Sequence, residues 1–405
     1  METMKKTVFL FSMMAALALA PATKVTGADV VKVFNLKESG RLTALLAEAG
    51  GDADSVVVSG PMNGDDMKGL KSYCANGHVR GVDLGEVSFP GDSLPNIAFG
   101  YTGKDNPVEN ITLPKKLRTI GFYAFYNMGN LRHVEIPNTL RSIGYYAFAS
   151  CTALRKVELN ERLEELGNMA FYGTALEALT IPASVKSMGY SICGNSTNLK
   201  RLTILADIEK IRTDCALLCT QLETLELPSQ VKEIEDEAFS STNLETTVWP
   251  SALETIGVGA FSCCRFKDIV LPGHVSTIKR EAFAYNEQLQ AITLPACLQT
   301  IDQSALLGCP LLERVVCEST VPPATLSKER TPQAVLFVPE GTEDAYRAAT
   351  WWKDFKEIRT YIPTAIGTIA TDTSGNDSAY TLGGIVAPKH YRGVVIQRGK
   401  KTVIK

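Results

Sequence analysis

From residue 111 to residue 317 the chain repeats one pattern of apolar and polar positions every 22 or 23 residues. The marker is apolar-x-apolar-Pro: ITLP (111–114), VEIP (134–137), LTIP (179–182), LELP (225–228), IVLP (269–272) and ITLP (292–295). TVWP ends at Pro250, and VELN and LTIL keep the register up to Asn160 and Leu205. Ten residues after a marker comes Ala-Phe, at 124–125, 147–148, 170–171, 238–239, 260–261 and 282–283. Four residues before each pair stands an apolar residue such as Ile120, Ile143, Leu166 or Ile234, and a leucine closes most units, as at Leu131, Leu154 and Leu176. Nine units follow this register, and a degenerate tenth, VSFP…IAF at 87–99, precedes them.

Each element follows from the pattern. L-x-x-I-x-L-P predicts a short strand with Ile and Leu inward, ended by a proline that donates no ladder bond. I-G-x-x-A-F predicts a turn and a short helical piece behind the strand. There alanine permits close approach and phenylalanine fills the interior. One unit cannot bury its own apolar face, but stacked units cover each other. The glycine of this motif (Gly121, Gly144, Gly167, Gly189, Gly257) gives way to Arg212, Glu235, Lys279 and Asp302. Such replacements argue against a required left-handed backbone and suit the opening of a helix.

These motifs resemble the BspA-like leucine-rich repeats of bacterial surface proteins. The resemblance implies an α/β-type leucine-rich repeat solenoid of short parallel strands and short helical turns, about ten repeats long, capped at both ends. Residues 28–86 resemble the N-terminal cap, 87–318 the solenoid, and 319–362 the C-terminal capping unit with Tyr346, Trp351, Trp352 and Phe355. A Thr/Ser/Gly-rich stretch at 363–378 reads as a linker. Residues 379–405 read as a small β module or sorting segment, with glycine turns between short strands. At the other end, Lys5 and Lys6 precede the apolar run at 8–20, which predicts a secretory signal peptide over 1–27, cleaved between about Ala22 and Ala28. No later segment is long and apolar enough to span a bilayer, so the mature chain is expected to carry no transmembrane segment.

The net charge of −3 supplies no basic field for nucleic acid. The four histidines are scattered, and neither HExxH nor paired CxxC is present, so no metal or cofactor is expected. Cys151, Cys219, Cys264 and Cys309 share one column in units two or three apart, too distant for disulfides and in keeping with buried thiols. Cys193 and Cys215 lie in adjacent units, which leaves a bridge between them open. No acid, base and nucleophile converge outside the repeat columns, so an enzyme is not expected.

Binding remains, and two sets of residues are candidates. The first is the outward strand column: Thr112, Glu135, Glu158, Thr180, Thr203, Glu226, Val248, Val270, Thr293 and Val316, with His133, Lys156, Ala178, Arg201 and Ala291 in the column beside it. The second is a tyrosine flank on the turns of the first four units, comprising Tyr123, Tyr126, Tyr145, Tyr146, Tyr172 and Tyr190. Tyrosines bury area and keep a polar tip, which suits protein or glycan ligands. The candidate site is therefore this flank together with His133, Glu135, Lys156, Glu158 and Arg201. The resemblance implies adhesion of a secreted or outer-surface protein to host or bacterial macromolecules, host extracellular matrix among them. A glycan-capturing accessory protein for nutrient uptake is the alternative.

Overall fold

A computed structural model describes residues 23–26, 29–51, 53–101, 106–326, 332–361, 380–381, 393–397 and 400–404. The expected signal peptide, except 23–26, and the linker at 363–378 lie outside them. The chain forms two compact units: Met1–Asp207 with Leu218–Leu222, and Ile208–Leu217 with Glu223–Lys405.

In the first unit the parallel strands Asp29–Asn35, Ser55–Pro61 and Gly81–Ser88 lead into the repeat strands Asn110–Thr112 and His133–Glu135. Helices α1 (Leu42–Ala49) and α2 (Gly64–Asn76) accompany the opening strands. The stretch MNGDDM is the start of α2. The Asn63 side chain accepts from the N–H groups of Asp65 and Asp66, and Asp66 accepts in return from Asn63 N–H at 3.0 Å. The buried Asp66 carboxylate also accepts from Gly40 and Leu42, which ties α2 to α1. At the end of α1, the buried Lys32 turns its ammonium onto the carbonyls of Ala49, Gly50 and Gly51 and the Tyr73 hydroxyl. A cation is well placed at a helix C-terminus.

The repeats build two sets of parallel ladders, one more than the sequence pattern predicts, although the segments at 157–160 and 247–250 form no marker strand. The marker strands form the first. The second is built of two-residue strands that contain the inward apolar residue: Ser93–Leu94, Thr119–Ile120, Ser142–Ile143, Glu165–Leu166 and Ser187–Met188. The second unit repeats the device with Lys210–Ile211, Glu233–Ile234, Thr255–Ile256, Thr277–Ile278 and Thr300–Asp302. Its marker strands Asp268–Val270, Ala291–Leu294 and Arg314–Cys317 continue into Val335–Pro339 and Glu357–Tyr361 of the closing segment, where Tyr346, Trp351, Trp352 and Phe355 are buried.

The back wall corrects the helical expectation. Among the described repeat residues it consists of tight turns, with one 3-10 turn at Gln303–Leu306. Two positions per repeat are left-handed, for example Tyr123 and Asn127 (φ 55° and 61°), Tyr146 and Ser150, and Glu237 and Ser241. A helix cannot pass through such residues. Alternate turn N–H groups instead bond to the following repeat: Tyr123 to Tyr145 O (3.0 Å), Phe125 to Ala147 O (2.8 Å) and Asn127 to Ala149 O (2.9 Å). The N–H groups between them close short turns, as from Tyr126 to Tyr123 O. The motif glycines have no positive φ, as their charged replacements imply, and open no helix. They serve close stacking, since a Cβ on Gly167 would sit 2.4 Å from Tyr145 N.

The inward columns form the core. Phe125 and Phe148 stack at 4.9 Å, and Phe148 and Phe171 at 5.4 Å. In the second unit Phe239, Phe261 and Phe283 repeat the spine at 5.4 and 5.9 Å. Burying each such ring stabilises the stack by about 1.5–3 kcal/mol. The cysteine column seals this spine. Cys151 donates to Phe125 O (3.1 Å), Cys264 to Phe239 O and Cys309 to Phe283 O. Asn286 does the same to Phe261 O at 2.8 Å, so the position takes any small donor.

Candidate functional site

The six expected tyrosines, Phe122 of the same sequence cluster and one further residue, Tyr101, form one aromatic field in the first unit. Parallel register fixes their columns, because Ser142 pairs with Glu165 and Glu165 with Ser187. Phe122 and Tyr145 then stack across adjacent repeats at 4.8 Å with planes 3° apart. Tyr123 and Tyr146 stack at 4.9 Å and 10°. Tyr126 meets Tyr146 edge-on, and Tyr101 lies 4.9 Å from Tyr126 and 5.4 Å from Tyr123. Tyr172 and Tyr190 stand on the next two turns in the same register, and desolvation, followed by the charges of Tyr123, Tyr190, Tyr126 and Tyr172, pushes the Tyr146 phenol above its ordinary pKa. Tyr101, Tyr145 and Tyr190 present the most surface, at 57%, 41% and 38% exposure. Tyr123, Tyr126, Tyr146 and Tyr172 are half-buried.

Tyr101 escapes the sequence reading. It belongs to the degenerate first repeat, where Ala98-Phe99 is followed by Gly100, and it occupies the left-handed position of Asn127 and Ser150. Extending the Ala-Phe register one unit upstream finds it. The ammonium of Lys71 on α2 holds the carbonyls of Ile97 and Gly100 just before it.

A second property emerges when the turns are aligned. The ten residues that open at Gly121, Gly144, Gly167 and Gly189 contain no Asp, Glu, Lys, Arg or His. Every equivalent stretch of the second unit carries charge, as with Asp214, Glu235, Asp236 and Glu237, Arg265, Lys279 to Glu281, and Asp302.

The strand set leaves from the marker ladder. His133 and Glu135 lie exposed on the strand His133–Glu135, and Arg201 lies exposed on Arg201–Ile204. Lys156 and Glu158 pair at 2.5 Å outside any strand, where the marker ladder is interrupted. Lys156, and secondarily the charge of His133, holds the Glu158 carboxyl below the usual range. This surface is a polar face in which Lys156 and Glu158 pair with each other.

Four of the expected outward residues are buried. Thr293 and Val316 pair in register with Val270 and Phe337, so β-branched and aromatic neighbours cover one another. Ala291 is short and lies between Asp268 and Arg314. Thr203 is buried on the strand next to Thr180. Val248 stays 82% exposed.

The thiols of the spine column are poor nucleophiles. Burial pushes the thiols of Cys151 and Cys264 up to about 12 and that of Cys309 to about 11. Cys193 and Cys215 are both buried in adjacent repeats. Among the described residues no cluster of His, Cys, Asp and Glu could hold a metal ion, and no helix is long and apolar enough to cross a membrane.

Short parallel strands at a 22–23-residue period with stacked phenylalanine spines define a leucine-rich repeat protein. The family model described as BspA type leucine-rich repeat region matches residues 93–222 and 215–323 in six copies, and the chain belongs to that family. Among solved structures the chain is similar to a leucine-rich repeat protein from Bacteroides ovatus, at 23% identity and a TM-score of 0.53. The match covers 66% of this chain and 64% of that one, a likeness of fold. A leucine-rich cell surface protein from Faecalibacterium prausnitzii matches at 19% identity over 74% of this chain and 86% of its own, with a TM-score of 0.36. Among curated proteins none matches the chain.

Proposed function

We propose that this chain is an exported, non-catalytic binding protein of the bacterial surface that adheres to host or bacterial macromolecules through its repeat surface. The observation that carries the reading is the aromatic flank, whose exposed rings stand on turns bonded repeat to repeat. A preformed surface loses little conformational freedom on binding, and tyrosines are enriched among the residues that dominate interface energetics. The polar strand face with His133, Glu135, Lys156, Glu158 and Arg201 supplies a secondary contact. Export follows from the N-terminal segment 1–27, and domains at 28–86, 87–318 and 319–362 form the mature binding body. Host extracellular matrix is the leading partner class. Glycan capture for nutrient uptake is the second reading, favoured by the absence of charge on the flank.

The test is a binding screen of the mature chain against matrix proteins and a glycan array, with protease accessibility measured on whole cells. Replacing Tyr101, Tyr145 and Tyr190 together by alanine should weaken binding at least tenfold, about 1.4 kcal/mol or more. Undiminished binding by the triple variant removes the flank as the site.

A further inference from the structure

Within the tyrosine field one column is discontinuous. Phe122, Tyr145, Asn168 and Tyr190 stand two residues after the inward apolar residues of successive repeats, in parallel register. The first two are stacked at 4.8 Å. The third step carries no ring. Asn168 is short, and its Oδ1 accepts from the Tyr190 backbone N–H at 3.2 Å, which draws the side chain onto the wall. Tyr145 and Tyr190 are thus two exposed tyrosines separated by two repeat steps with a low polar floor between them.

Two steps amount to about 10 Å at a strand spacing of ~4.8 Å. A flat aromatic ring between two others needs only about 7–8 Å, two van der Waals contacts of 3.5–4.0 Å. A puckered six-membered saccharide ring with axial hydrogens on both faces is roughly 1–2 Å thicker and fills the gap at contact distance. The surrounding turns hold no charged side chain, which disfavours a phosphate, a sialylated glycan or a charged peptide. Phenol hydroxyls and the Asn168 amide remain as hydrogen-bonding groups, the kind a sugar's hydroxyl rim requires.

We propose that the slot between Tyr145 and Tyr190, floored by Asn168, is a subsite for one neutral pyranose residue of a glycan chain. The inference rests on the reading of the flank as a binding surface and names the ligand class for one part of it. The slot clamps the sugar on both faces, and the glycan continues past Tyr146 and Tyr172.

The experiment titrates the full chain with maltohexaose, cellohexaose, mannohexaose and xylohexaose by calorimetry and saturation-transfer NMR. At least one should bind. Tyr190→Ala, which opens the clamp, and Asn168→Tyr, which fills it with a third ring, should each weaken that affinity at least tenfold. Tyr285→Ala, an exposed ring on a later turn, should leave it unchanged. Tyr190→Ala removes an exposed ring and keeps the backbone bond to Asn168, so it remains decisive if Asn168→Tyr folds poorly. Binding to none of the four sugars, or affinity that survives Tyr190→Ala, overturns the subsite. If the chain instead adheres to matrix protein through Tyr101 and Tyr145 and is indifferent to Asn168→Tyr, the slot falls and the broader reading stands. Loss of neither interaction in any tyrosine variant overturns both.

Discussion

The turns of the first four regular repeats and those of the later ones, the 3-10 turn at Gln303–Leu306 apart, use one backbone and contrasting surfaces. Both hold a left-handed residue three positions past the inward apolar residue, Tyr123 and Tyr146 in one set, Glu237 and Glu281 in the other. Both bury Ala and Phe without exposure, at Ala147 and Phe148 as at Ala260 and Phe261. Yet the first set is aromatic and uncharged, and the second is charged and poor in exposed rings. Fold therefore resides in the inward columns, and those columns leave the outward ones free to vary. A concentration of rings on turns that tolerate Glu equally well is not explained by the fold.

The largest expected effect tests the sameness of the two regions. Phe148→Ala and Phe261→Ala each remove a ring stacked between two others, and each should cost about 3–5 kcal/mol in denaturant unfolding. A serious loss in one region alone would break the equivalence of the spines. Next comes the difference between them. Tyr145→Asp installs the residue that Asp236 supplies in the same column, and Tyr146→Glu installs the counterpart of Glu237. Both should change stability by less than about 1 kcal/mol, while binding to whichever matrix protein or oligosaccharide the chain recognises falls at least tenfold. A variant that unfolds would show that the rings are needed as structure.

Thiol chemistry offers a finer comparison. Cys151 in one region and Cys264 in the other are buried and pushed to about 12, so neither should react with iodoacetamide in the native state near pH 8. The exposed Cys263 and Cys297 should label, and Cys151→Ser should fold, since Ser196 bonds Phe171 O from the same column. Labelling of native Cys151 in mass spectra would refute the shared burial.

The smallest effects are electrostatic and of opposite sign. Burial, then Glu237 and Asp236, raises the Asp214 carboxyl above its ordinary pKa. Its charged form is thus disfavoured on folding, a penalty present at neutral pH and relieved as pH falls through the carboxylate range. Asp214→Asn should raise Tm slightly at pH 7 and not at pH 3. Glu164 in the first region is held low by Lys186 at 2.9 Å and by Arg141. Its contribution is present above the ordinary carboxylate pKa and lost as pH falls, so Glu164→Gln should lower Tm at pH 7 and converge with the parent under acid. Binding by the uncharged flank itself should stay flat between about pH 5 and pH 9, since tyrosine titrates near 10. A titration step inside that window would place a charged group in the site.

The inward half of the molecule was readable from spacing alone, because a repeated apolar residue has one physical explanation. Ile120, Phe125, Leu131 and their equivalents are buried where the period puts them. The second ladder was not readable, since a two-residue strand such as Thr119–Ile120 is too short to show alternation. Nor were the left-handed turns, whose occupants range over Tyr, Met, Asp, Glu, Asn and Ser and include glycine only at some repeats, as at Gly173 and Gly259. The tyrosine flank was visible as a cluster. Its discontinuity at Asn168 and the ring of Tyr101 became legible only once register aligned the turns. The buried Thr293 and Val316 show the limit of reading one strand at a time, because cover came from the strands beside them.

The forward hydrogen bonds of the turns set a direction for assembly. Tyr123, Phe125 and Asn127 donate to Tyr145, Ala147 and Ala149, and Tyr146, Phe148 and Ser150 donate to Asn168, Ala170 and Tyr172. A repeat is thus a clasp fastened by its successor. In a chain that emerges N-terminus first, these turn N–H groups gain their partners only once the following repeat has been made. A chain cut short inside the array would end in an unfastened turn, its donors facing water and its last phenylalanine uncovered.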